Sequence, residues 1–273
     1  MKWSNSSLLT LRACGERYRR RYIEKDYFPP SPRMVRGTAV HRSVRYSMLN
    51  KLETRALPSV EAVTDVAASE FESAWAQGVL LTDEEKDEDL GALRGRAKDM
   101  AVSLSRLHRT AVAPAIEPLG VERRITVRPK DSDLVIEGTI DLVALMGGGH
   151  RIHDTKTAEK SPTSTAAETS QQLTMYSLID LAETGRLPED CRLDYLVQTP
   201  ARKELKHVPL TTTRTHEHMA AMVSVLNVAT AAVEKGVFLP APSDWWGCSL
   251  EWCEYFRTCP YTRGRRRPEN RHH

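Results

Sequence analysis

The stretch "IEGTIDLVALMGGGHRIHDTKTAEK", residues 136–160, decides the fold. Two runs rich in Ile, Val, Leu and Thr flank three glycines, which is the composition and punctuation of a β-hairpin. Each run carries an aspartate, Asp141 and Asp154, and Lys156 follows the second by two positions. Side chains alternate along a strand, so Ile152, Asp154 and Lys156 share one face. An even-numbered turn, residues 148–149 or 147–150, would bring Asp141 to that face, opposite Lys156 and diagonal to Asp154. An odd turn would send it to the other side.

Two carboxylates and an ammonium converging on a strand pair match a site for Mg²⁺ or Mn²⁺, which bind through one or two acids plus waters and phosphate oxygens. Such an ion polarises a phosphoryl group and lowers the pKa of water, and a lysine beside it can orient that water or offset developing charge. The implied reaction is phosphodiester hydrolysis. The alternative is a surface salt-bridge ladder. Acid-x-Lys triplets also occur at Glu84/Lys86 and Glu204/Lys206, but neither follows a strand bearing an aspartate. Glu122 and Glu137 lie on neighbouring strand patterns. The first is a candidate extra carboxylate near the metal, and the second is either an auxiliary acid or solvent-facing.

Working outward, residues 4–26 read as one helix, with Ser4 or Asn5 as N-cap and Leu8, Leu9, Leu11, Tyr18 and Tyr22 mainly on one side. "PPSP" (29–32) breaks the chain, and a helix over 36–52 carries His41. Helices at 58–80 and 90–112 flank the acidic "DEEKDED". From Leu119 the pattern turns to strands, beginning with "GVERRITV". A helix over 166–185 closes at Gly185, strands follow at 193–199 and "KHVPLTT", and an Ala-rich helix over 214–235 ends at Gly236. The sum is an α/β core with a helical insertion or lid. Its expected parts are an N-terminal helix (1–35), a helical region (36–115), the core (116–235) and a cysteine-rich, basic tail (236–273). No GxxxxGK[ST] phosphate loop is present, so no helicase motor is encoded.

"GTIDLVA", "IHDTKTA" and "QQLTMYSLIDLA", in that order and preceded by "RGTAVH", resemble the RecB-type branch of the PD-(D/E)XK nuclease superfamily. The resemblance covers residues 36–180. It implies a restriction-endonuclease-like core, a mixed sheet with flanking helices, in a metal-dependent DNA nuclease. It also implies Asp141, Asp154, the Thr155 carbonyl and His41 as metal ligands and Lys156 as the catalytic lysine. Gln172 and Tyr176 would position Lys156 or the DNA backbone. Read without the resemblance, His41 is an ordinary partly buried histidine, and Gln172 with Tyr176 is a polar and aromatic pair one helical turn apart.

Of five cysteines, Cys248, Cys253 and Cys259 fall within twelve residues as C-x4-C-x5-C. In a reducing compartment such crowding favours metal ligation over disulfides, and the wide spacing favours an iron–sulfur cluster over zinc. "CGERYRRRYI" resembles the start of RecB-type and CRISPR-adaptation (Cas4-like) nucleases, which makes Cys14 the fourth ligand of a structural [4Fe-4S] clasp. Gly15 stands where that pattern has proline, and the first tail gap is x4 where x2 is frequent. Cys191 reads as a buried thiol, and Trp245, Trp246 and Trp252 read as packing over the cluster rather than stacking on bases.

Hydrophobic content of 40% with no membrane-length apolar run places the chain in the cytoplasm and off the membrane. A net charge of +3 does not by itself indicate nucleic acid. Its distribution is more informative, because Arg17, Arg19, Arg20 and Arg21 form a plausible phosphate track and a second basic cluster lies at 263–271. The expected partners are DNA ends or single strands, with a helicase, a recombination protein or a CRISPR-adaptation protein as companion. The competing readings are a non-catalytic subunit that binds DNA ends and a sequence-specific endonuclease.

Overall fold

The computed structural model describes residues 1–129, 134–199 and 204–262. The basic cluster at 263–271 lies outside these. Six strands form one mixed sheet: β1 (Lys2–Trp3), β2 (Pro118–Val127), β3 (Val135–Met146), β4 (Gly149–Ala158), β5 (Asp190–Gln198) and β6 (Leu205–Thr212). The path runs β1-β3-β4-β5-β6, with β2 antiparallel along the other edge of β3. β1 pairs with β3 only at residues 135–136 and β4 only at 142–146, so β1 and β4 part around residues 137–141. Asp141 sits in that fork.

The hairpin turn is residues 147–148, with Gly147 in the left-handed region (φ 54°) and Met146 paired to Gly149. The turn is even, as the same-face expectation requires, but it lies one residue earlier than expected. Leu142 pairs with His153, so the next step of the register sets Asp141 across from Asp154 rather than from Lys156. Strict alternation also fails here. Ile136 and Ile140 belong to one apolar core, whereas Leu142 and Ala144 belong to the core on the opposite side of the sheet. β3 therefore changes face at Asp141.

On one side of the sheet lie α1 (Asn5–Ala13), α7 (Gln171–Thr184) and α8 (His216–Glu234), packed on Ile136, Ile140, Ile152 and Leu193. On the other lie α3 (Pro32–Thr54), α4 (Val60–Ala76) and α6 (Leu90–Leu107), packed on Leu142, Ala144 and Leu196. Ser31, Ser59, Asp89, Ser170 and Thr215 each cap a helix N-terminus with a side-chain oxygen, which fixes where these segments start. α7 begins at Gln171, later than the expected 166. The preceding turns are held instead by Arg214, which donates to the carbonyls of Ala167, Glu168 and Ser170. α4 stops at Ala76 ahead of Gly78 (φ 100°), and α6 passes into a π-turn at His108–Val112.

The expected single helix over 4–26 is three pieces: α1, a short α2 (Gly15–Tyr18) and a π-turn (Arg19–Ile23). Leu9 on α1 is exposed rather than packed. The break is at Cys14, whose backbone is extended because the next residue is claimed by the tail. The Gly15 N–H donates to the Leu239 carbonyl at 2.7 Å, and the Ala241 N–H reaches the Cys14 Sγ at 3.3 Å. A Cβ on Gly15 would lie 2.7 Å from backbone atoms of Phe238 and Leu239, and proline would lack the N–H. Hence glycine stands at this position. Gly15→Ala is expected to cost about 1–3 kcal/mol by forced backbone displacement. A lower urea midpoint at unchanged m-value is the readout, and an unchanged midpoint would mean that the tail shifts freely.

Among the described residues no helix is long and apolar enough to cross a membrane.

Candidate active site

β3, β4, α3 and α7 each place one part of the site at the fork. Asp154 is fully buried on β4, and the Lys156 Nζ lies 2.7 Å from its Oδ2. Lys156 also donates to the Gln172 Oε1 at 2.6 Å, and the Gln172 Nε2 donates to the Tyr176 hydroxyl at 2.7 Å. The one-turn spacing of Gln172 and Tyr176 on α7 thus aims both at the lysine. From α3, the His41 Nδ1 approaches the Asp141 Oδ2 at 3.2 Å. His41, Asp141 and Thr155 line one small recess together with Arg45 and Glu122.

The carboxylates are under-bonded. Asp154 Oδ1, Asp154 Oδ2 and Asp141 Oδ2 are buried without a well-directed hydrogen bond, although Lys156 and His41 stand at ion-pair distance. Burial first, then the charge of Asp141, pushes the Asp154 carboxyl up to about 6 against the pull of Lys156 and His41. For His41, burial opposes the charged ring, but the close contact with Asp141 and its charge, with Asp154 behind it, win and raise its pKa. Burial raises the Tyr176 phenol, and the two aspartates raise it further.

Native proteins rarely leave buried carboxylate oxygens unsatisfied. A hard divalent cation would satisfy these, and the donor set is all oxygen with one imidazole, which suits Mg²⁺ or Mn²⁺. Among the described residues no three His, Cys, Asp or Glu side chains form a ready-made metal cage. An ion that keeps waters and borrows substrate oxygens does not need one.

A family model of the PD-(D/E)XK nuclease superfamily matches residues 2–260. The chain belongs to that superfamily. One solved structure similar to it is a "putative exonuclease" from Eubacterium rectale, at 12% identity and TM-score 0.51, covering 98% of this chain and 90% of that one. A second, SSO0001, is 13% identical with TM-score 0.41, covering 96% and 86%. At these identities the first likeness bears on fold alone. No curated protein matches.

Glu122 of this PD-(D/E)XK nuclease-superfamily chain lines the recess, where the sequence offered it as an extra carboxylate, but its conformation and pairing, and a second polar cluster, were not anticipated. Glu122 adopts a left-handed backbone (φ 46°) where β2 passes Asp141, and its carboxylate is held at 2.7 Å by Arg45, one turn after His41 on α3. The i, i+4 spacing of His41 and Arg45 was the available signal. A polar cluster also backs the site: Asp194 on β5 contacts His153, His207 and Arg192. Its members lie on strands whose register no local pattern reveals. Glu137 points elsewhere, paired with Lys2 at 2.7 Å.

The four N-terminal arginines are engaged within the protein. Arg17 and Arg21 share Glu254 of the tail, Arg19 is held by Glu16 and Glu24, and Arg20 pairs with Asp26 while lying over the Tyr255 ring. Arg17, Arg20 and Arg21 thereby join the N-terminus to the tail. None of the five cysteines forms a disulfide. Cys14 and Cys253 are close enough to interact electrostatically, and burial pushes the Cys253 thiol up to about 11. Cys191 is buried against Ser177, as a structural thiol would be.

Proposed function

We propose that the protein is a divalent-metal-dependent deoxyribonuclease that hydrolyses phosphodiester bonds, acting as an exonuclease or end-processing enzyme on single-stranded or opened DNA ends. The observation that carries this reading is Asp154, wholly buried, its carboxylate oxygens lacking directed hydrogen bonds, and in contact with Lys156. Asp141, Asp154, His41 and the Thr155 carbonyl would hold Mg²⁺ or Mn²⁺, which when bound supplies a polarised phosphoryl group and a water of lowered pKa. Lys156 orients the attacking water or offsets charge on the pentacoordinate phosphate. Gln172 fixes the ammonium of Lys156, and Tyr176 fixes Gln172 in turn.

The second part of the proposal is a structural [4Fe-4S] clasp on Cys14, Cys248, Cys253 and Cys259. The electrostatic proximity of Cys14 and Cys253 and the seating of Cys14 against Ala241 support it. Among the described residues the four are not gathered into a group that could hold a metal ion.

The experiment is digestion of 5′- and 3′-end-labelled linear DNA beside closed circular DNA with Mg²⁺ or Mn²⁺, using anaerobically purified protein. Linear DNA should shorten from an end while the circle resists. Discrete fragments from the circle would instead establish an endonuclease, and tight DNA binding without cleavage a non-catalytic subunit. The same preparation should be brown and lose its colour in Cys259→Ser; a colourless protein carrying zinc would replace the cluster reading.

A further inference from the structure

We infer that Trp246 and Trp252, with Arg33, form a stacking platform that receives an unpaired stretch of the nucleic-acid strand on its way to the fork; the inference rests on the nuclease reading above. Trp246 leaves 66% of its surface in water and Trp252 leaves 41%. Neither indole is buried in the core. Their rings meet edge to face at 5.2 Å, and Trp245 tilts against Trp246 at 5.4 Å, which holds the pair rigidly with most of the Trp246 ring open. An indole at such exposure, fixed by its neighbours rather than by the core, is a surface suited to a partner with flat faces.

Cation chemistry supports a nucleic acid as that partner. The Arg33 guanidinium lies 5.2 Å above the Trp252 ring, and its Nε is 3.7 Å from Glu159. Arg36 binds the same carboxylate at 2.9 Å. Arg33 thus shares its acid with the buried Arg36 and sets a guanidinium against the indole, while the exposed Asp244 and Glu251 adjoin Trp245 and Trp252 in the chain. Glu159 follows β4 directly, three residues after Lys156. The chain of contacts Trp252, Arg33, Glu159 therefore runs from the aromatic surface to the end of the catalytic strand. Exposed ring faces with a guanidinium stacked on one of them, joined by contacts to the end of the strand that carries Asp154 and Lys156, match successive bases and phosphates of a single strand.

The larger opening next to the site points the other way. A cleft of about 700 Å³ between α3 and α4 presents Arg42 and Arg45, but against Glu53, Glu70 and Glu122. That excess of acid disfavours a polyanion.

The test measures binding of oligo(dT) by quenching of tryptophan fluorescence and by anisotropy of labelled DNA, in EDTA so that no turnover is needed. Trp246→Ala and Trp252→Ala should each weaken single-strand binding about tenfold, Trp246→Phe should retain most of the affinity, and Arg33→Gln should lower the salt dependence by about one ion. Circular dichroism and melting confirm that each variant is folded; Trp246, being exposed, is the variant least coupled to the fold. Wild-type affinity in both alanine variants would overturn the platform, as would Trp246→Phe falling as far as Trp246→Ala. Unchanged DNA affinity with loss of a protein contact would mark a protein-docking surface instead. Binding is read without cleavage, so failure of the platform and failure of the nuclease reading are separable.

Discussion

Asp154→Asn is expected to abolish cleavage and at the same time raise the melting temperature. On the proposed function, loss of the buried carboxylate would remove a ligand of the cation, and a fall of about 10³-fold or more in rate is the scale for losing such charge stabilisation. The stability gain comes from proton linkage. The Asp154 carboxyl is pushed up to about 6 by burial and by Asp141, whereas in an unfolded chain it titrates near 3.9. Between those values the native state holds more protons than the unfolded one, so stability falls as pH rises through the window. At pH 7 the charge costs roughly 3 kcal/mol. The asparagine variant avoids it. His108 works in the opposite sense, since burial pushes it down to about 4 and stability there falls as pH drops from about 6.5. Wild type should therefore vary little in stability between about pH 4 and 6, while Asp154→Asn loses stability steadily on acidification. Mn²⁺ should raise the melting temperature of wild type and leave the variant unmoved. A variant that melts below wild type at pH 7 would show that the Lys156 contact outweighs the cost of burial.

The hairpin and the placing of its acid beside its lysine were legible because both signals are local. Alternation and glycine punctuation mark the strands, and "DTK" places acid and base on one face whatever lies beyond. His41 and the Gln172–Tyr176 pair were legible through helical spacing combined with family resemblance. Register was not. Three consecutive glycines permit several turns, and only the packed sheet selects residues 147–148. Nor does strict alternation survive where β3 changes face at Asp141 beside the left-handed Glu122, because that twist is imposed by helices on both sides. The break at Cys14 was hidden for a similar reason. Residues 4–26 have helical spacing, and what interrupts them is the Leu239 carbonyl, more than two hundred residues away. The pairing of Arg17 and Arg21 was hidden likewise, because their shared partner Glu254 is equally remote.

Asp194→Ala is expected to destabilise the protein by about 3–5 kcal/mol, the cost of breaking a buried ionic cluster from one side. Asp194 is 1% exposed on β5, paired in the ladder with Thr155. It accepts from the His153 Nδ1, the His207 Nε2 and the Arg192 Nε, each at 2.8 Å. Burial alone would raise this carboxyl, but the hydrogen bonds from His153 and His207, with the charges of His153 and Arg192, hold it well below the usual range. A depressed carboxyl contributes stability that is complete above its unfolded pKa, about 4, and is lost as pH falls further. Wild type should therefore unfold steeply below about pH 4, and the alanine variant should show less of that acid limb. Asp194→Asn, which keeps one acceptor and loses the charge, should fall between the two in urea midpoint. A loss under about 1 kcal/mol in Asp194→Ala would mean that water replaces the carboxylate and that the cluster is not sealed. The position of the cluster sets its bearing on the reaction. His153 immediately precedes Asp154 on β4, so the anchor that fixes one face of the strand at His153 also fixes the aspartate presented on the other.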